Sequence, residues 1–151
     1  MVTWRLVGIT EIKLYLQEYI NMSELKIGKE NIIKAKVDEN MLAVNVGSGS
    51  LEVFATPTAA ALMEKAAYEL IQPYLEDGIT TVGTKISIEH TSATPIGAVV
   101  KAKAILTEID GRKYSFEISA EDNAGIIAKG IHERFAVKSE RFMEKTKMKL
   151  T

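Results

Sequence analysis

The chain of 151 residues carries 19 Lys+Arg against 20 Asp+Glu, a formal net charge of −1, with 46% hydrophobic residues, two histidines and no cysteine. That length suits one domain, whose folding buries about 68–70% of the unfolded chain's surface. The near-neutral balance argues against a nucleic-acid partner, which asks for a basic excess. The lack of cysteine excludes disulfides, thiolate nucleophiles and Cys-ligated zinc.

No apolar run approaches the ~20 residues of a membrane span. Arg5, Glu11, Lys13, Gln17 and Glu18 break any secretory segment, so a cytoplasmic location without membrane contact is expected. Ile12, Tyr15, Leu16, Tyr19 and Ile20 fall on one helical face, with Thr10 as its cap and Trp4 ahead of it. That stripe needs the main domain or a second copy of the chain to lie on. Met22 is an alternative start, so residues 1–21 read as an accessory extension and residues 22–151 as the domain proper.

Asn31–Val37 and Met41–Val46 read as short strands around the turn residues Asp38, Glu39 and Asn40. Gly47-Ser48-Gly49-Ser50 is a loop with no bulky side chain. From Pro57 to Leu75 the period becomes helical, with Thr56 as N-cap and alanines at 59–61, 66 and 67 permitting close approach of a sheet. Asp77-Gly78 ends it. Strands follow over Val82–Thr91, Val99–Ile109, Tyr114–Ala120 and Ile126–Val137, turned at Asp110-Gly111 and Asn123-Ala124-Gly125. Arg141, Lys145, Lys147 and Lys149 mark a solvated tail. The fold class is α+β, an antiparallel sheet wrapped around one long central helix.

Several residues break these patterns. Glu64 lies beside Ala60, Ala67 and Ile71 on the helix face that should meet the sheet, where a carboxylate costs stability unless partnered. Clean alternation puts His90 with Val82, Thr84, Ile86 and Ile88 on the inward face, and Gly83 opposite. A His90–Glu64 pair would fix the imidazole and free one nitrogen for proton transfer. Gly83 inside a strand marks a bulge or a close approach. Thr56 serves either as cap or as a donor to a substrate at the helix end. His132 and Arg134 share one side of the last strand, read either as a solvated face or as an anion site.

Val53-Phe54-Ala55-Thr56, Leu62-Met63-Glu64, Pro73-Tyr74-Leu75, Gly83-Thr84, His90-Thr91, Ala93-Thr94-Pro95 and Gly130-Ile131-His132-Glu133-Arg134 occur in this order between Val53 and Phe142. The ordered set resembles the fluoroacetyl-CoA thioesterase-like branch of hot-dog-fold thioesterases. The resemblance implies a hot-dog fold, a homodimer or higher homo-oligomer with its acyl-CoA site between subunits, and hydrolysis of a small acyl thioester. It implies Thr56, Glu64 and His90 as catalytic residues, with Gly83, Thr84 and Arg134 lining the substrate. No metal is required and no cofactor beyond CoA as part of the substrate. The Gly47–Ser50 loop departs from the aromatic residues of the fluoroacetyl-specialised enzyme, and the amino-terminal extension lies outside the similarity. Alternatives are a non-catalytic acyl-CoA-binding domain and an enoyl-CoA hydratase, whose Asp-x-x-x-x-His pattern this chain lacks.

Overall fold

The computed structural model describes residues 8–150, and of residues 17, 18 and 20–24 the backbone alone. Trp4 lies outside the described residues. Helix α1 (Ile9–Glu24) begins after Gly8, which offers no side-chain cap, and Thr10 lies within the helix instead of capping it. Of its expected apolar stripe, Ile12, Tyr15, Leu16 and Tyr19 are exposed, and the side chain of Ile20 lies outside the described residues.

Strand β1 (Glu30–Lys36) follows as expected. Met41–Val46 is not a strand. A 3-10 turn over Glu39–Met41 and the short helix α2 (Ala43–Val46) replace it. The Asp38 carboxylate accepts from the Asn40 amide at 2.9 Å and starts the coil. Gly47, at φ +87, closes α2 in a left-handed conformation that only glycine adopts cheaply. Val and Ile content alone misreads this segment, because local caps outcompete strand propensity.

Helix α3 (Thr56–Ile71) gives way to a 3-10 turn at Gln72–Tyr74, four residues short of the expected end, where Pro73 cannot continue the α-helical ladder. Ala55 is its N-cap, so Thr56 is the first helical residue and its hydroxyl is free for another partner. Four long strands complete the domain: β2 (Ile79–His90), β3 (Val99–Asp110), β4 (Lys113–Asp122) and β5 (Gly125–Lys138). Helix α4 (Ser139–Lys147) carries the charged tail without buried residues.

All pairings are antiparallel, in the order β1-β3-β4-β5-β2, which leaves β1 and β2 as edges. The concave face closes on α3. Ala59, Met63, Ala66, Ala67, Leu70 and Ile71 of the helix are buried against Ala102, Ala104, Phe116, Ile118, Ala120 and Ala128 of the sheet. Alanine on both sides lets helix and sheet approach closely, and Asn31 of β1 donates to the Ala66 carbonyl at 3.0 Å. Among the described residues no helix is long and apolar enough to cross a membrane.

The alternation expected in β2 fails at one place. Val82 pairs with Phe135 and Gly83 with Arg134, but Lys85 pairs with Glu133, so Thr84 is bulged out of the ladder. The extra residue inverts the side-chain parity. Gly83 therefore faces α3 together with Ile86, Ile88 and His90, opposite to its expected side.

Candidate active site

Two polar clusters line the inner face at opposite ends of β2. The first joins the start of α3 to the end of β2. Thr56 Oγ1 lies 2.8 Å from His90 Nδ1, the contact made possible because Thr56 does not cap the helix. The His90 ring stands edge-on to the buried Phe54, with centroids 6.4 Å apart. His90 Nε2 is buried and has no hydrogen-bond partner among the described residues. A buried imidazole nitrogen left open is costly unless a ligand, water or second chain meets it.

The second cluster lies at the bulge. Glu64 Oε2 is 3.6 Å from Arg134 Nη1 and 4.0 Å from His132 Nε2. The Glu64 side chain is 41% exposed, so it sits at the rim and is not engulfed as its helix position suggested. Arg134 and His132 are the deeply buried members, at 7% and 1% exposure, which overturns the solvated-face reading of the last strand. Arg134 Nε donates to Thr81 Oγ1 at 2.8 Å and Nη2 to the Thr81 carbonyl at 2.9 Å. Its guanidinium also lies 5.7 Å over the Tyr68 ring. Burial lowers Arg134 from its ordinary value, with Glu64 and Tyr68 pulling it back up; guanidinium stays charged throughout.

Burial likewise pushes His132 below the ordinary histidine value and the Arg134 charge adds to the fall. Its bond to the Lys85 carbonyl and the carboxylates of Glu64 and Glu133 oppose it.

Gly83 has a local reason. A Cβ there would stand 2.8 Å from Glu64 Oε2, 3.2 Å from His132 Cε1 and 3.5 Å from Arg134 Nη1. Thr84 turns its hydroxyl to the Glu133 carbonyl at 3.2 Å, tying the bulge to β5.

Within the chain, Glu64 is thus ion-paired to Arg134 with His132 beside it, while His90 is bonded to Thr56. The histidine beside the carboxylate is His132, not His90 as the sequence pattern suggested. Its signal was the series Ala128, Gly130, His132, Arg134, Ala136, a small-residue inward face carrying two large polar groups. Thr56 and Glu64 belong to one continuous helix, eight residues or about 12 Å apart along its axis. Gly83 and His90 are separated by about 20 Å of strand.

The profile of the family described as fluoroacetyl-CoA-specific thioesterase matches residues 37–140. A fluoroacetyl-CoA thioesterase from Streptantibioticus cattleyicolor is 42% identical over 98 residues, covering 65% of this chain and 70% of that protein. A solved structure of a variant of the fluoroacetyl-CoA thioesterase FlK in complex with acetyl-CoA superposes with a TM-score of 0.80 at 32% identity, covering 84% of this chain and all of that one. A hot-dog-like protein from Thermanaerovibrio acidaminovorans shares the fold with a TM-score of 0.77 at 19% identity, covering 84% and 94% of the two chains. The helix-wrapped sheet is a hot-dog fold, and the chain belongs to the fluoroacetyl-CoA-specific thioesterase family.

Proposed function

We propose that this protein is an acyl-CoA thioesterase, hydrolysing a small acyl thioester to the free acid and CoA, with Thr56, Glu64 and His90 as its catalytic residues. The observation that carries the reading is His90: Nδ1 is held by Thr56 and the buried Nε2 is open. An imidazole fixed at one nitrogen and bare at the other is built to move a proton. In the proposed reaction Nε2 takes a proton from water as the oxygen attacks the thioester carbonyl carbon. It returns that proton to the departing sulfur when the C–S bond breaks. Water and acyl-CoA supply every atom, so the reaction needs no metal and no further cofactor.

The two clusters lie too far apart to act on one carbonyl within a single chain. A homodimer resolves this. Antiparallel pairing of the free β2 edge with the β2 of a second copy, centred on Ser87 and with Thr84 again left out of the ladder, sets Gly83 of the partner subunit opposite His90. Glu64 of the partner subunit then approaches the Thr56–His90 pair, and Gly83, Thr84 and Arg134 flank the acyl group. The enzyme would act in the cytoplasm, with residues 1–21 as an accessory to the hot-dog domain.

The test is thiol release from acyl-CoAs of graded acyl length. A chain without cysteine gives no thiol background. His90→Ala is expected to lower kcat by about 100-fold or more. Hydrolysis by that variant at the wild-type rate would end the assignment. Saturable binding without turnover in the wild type would favour an acyl-CoA-binding domain instead.

A further inference from the structure

His132 is 1% exposed and carries no assigned role, yet each of its nitrogens has a defined neighbour. Its Nδ1 lies 2.8 Å from the Lys85 carbonyl, at the first paired residue after the bulge. A carbonyl only accepts, so Nδ1 carries the proton. Nε2 is then a bare acceptor, and Arg134 Nη1, 3.2 Å away, donates to it. The ring is clamped on Phe116, 6.0 Å between centroids and 29° between planes. Thr81 fixes Nε and Nη2 of the guanidinium. Nη1 is the nitrogen that faces Glu64, and His132 Nε2 is the acceptor it bonds at 3.2 Å.

We propose that His132 is a positioning residue: through its Nε2 it fixes Nη1 of Arg134, and so presents the guanidinium to Glu64. The kinetic consequence rests on the thioesterase reading; the placement of Arg134 does not. Burial, which disfavours the imidazolium, keeps Nε2 available as an acceptor. Protonation there would remove the acceptor and set a second cation against Arg134.

Two substitutions separate the two bonds. His132→Asn retains an amide donor near the position of Nδ1 and loses the distal acceptor. His132→Gln places an amide oxygen near the position of Nε2. In ¹⁵N NMR, wild-type His132 is expected to show a protonated Nδ1 and a bare Nε2. Arg134 is expected to give separate Nη1 and Nη2 signals in the wild type and in His132→Gln. In His132→Asn the Nη1 signal should shift and its protons exchange faster with water, while Nη2, still bonded to the Thr81 carbonyl, keeps its place. In kinetics, His132→Asn should lose 10–100-fold in kcat, as for a misplaced catalytic group, with KM within about twofold. His132→Gln should stay within about threefold of wild type in kcat.

A wild-type His132 protonated on Nε2, or an Arg134 Nη1 signal unchanged in His132→Asn, would overturn the proposal. If His132→Asn does not fold, the wild-type tautomer and the Arg134 signals of His132→Gln decide it. If the wild type releases no thiol from any acyl-CoA, the thioesterase reading fails, and the NMR arm still judges the positioning role.

Discussion

Replacing Gly83 with alanine separates the placement of Glu64 from the stability of the fold. Gly83 is not in the left-handed region, so its backbone accepts an L-residue without strain. The added methyl meets Glu64 Oε2 at 2.8 Å, which must lengthen by at least about 0.5 Å to reach ordinary van der Waals separation. His132 Cε1, at 3.2 Å, belongs to a buried ring that need give by only a few tenths of an ångström and cannot swing away. The carboxylate can, because its side chain is 41% exposed and free to swing toward solvent. Relief of the clash therefore moves Glu64 off Arg134 and leaves the core alone. Gly→Ala also trims unfolded-chain entropy, by roughly 0.4–1 kcal/mol, so Tm should stay within about 3 °C of wild type. Displacing a catalytic group by this distance should cost on the order of 10–100-fold in kcat. The assay is thiol release paired with thermal melting. Wild-type turnover by a folded Gly83→Ala protein would refute the role given to Glu64 beside this glycine.

Two further outcomes follow from the same geometry. Glu64→Ala and His90→Ala proteins, each inactive alone, should regain about a quarter of wild-type activity when unfolded and refolded together in equal amounts. Half of randomly paired dimers are mixed, and each mixed dimer rebuilds one of its two sites; no recovery would place each site within one chain. The second concerns pH. Folding holds His132 below its ordinary 6.5, whereas the unfolded chain takes up the proton near 6.5. Between 6.5 and the lowered folded value the unfolded state binds more protons, so stability falls as pH falls through that window. Melting from pH 7.5 to 5 should show a Tm loss that His132→Gln lacks, and equal slopes for the two proteins would contradict the buried neutral imidazole.

Much of this fold is legible in residue periodicity. The alanine-rich α3, the Asp110-Gly111 turn and the three-strand run of β3, β4 and β5 follow from spacing and turn chemistry. Two of the misses come from how helix ends are capped, which periodicity does not see. Asp38 coils the segment expected to be a strand. Ala55 takes the cap position and releases Thr56 to His90. At the site, Thr56, Glu64, His90, Gly83 and Arg134 were visible as residues out of place. Which histidine meets the carboxylate was not, because it depends on how β2 aligns with β5.

That alignment turns on one residue. In an uninterrupted strand Gly83 and His90, seven apart, point to opposite faces. Thr84, left out of the ladder, changes the parity and turns both inward. Gly83 then opens the space that Glu64 occupies, and His90 reaches Thr56 at the other end of the strand. The same parity makes the proposed dimer chemically useful. Residues directly opposite in an antiparallel pair share a face, so the Gly83 end of one β2 and the His90 end of the other look onto one cleft. Without the bulge, the pairing that brings these ends together would leave the carboxylate and the imidazole on opposite sides of the sheet.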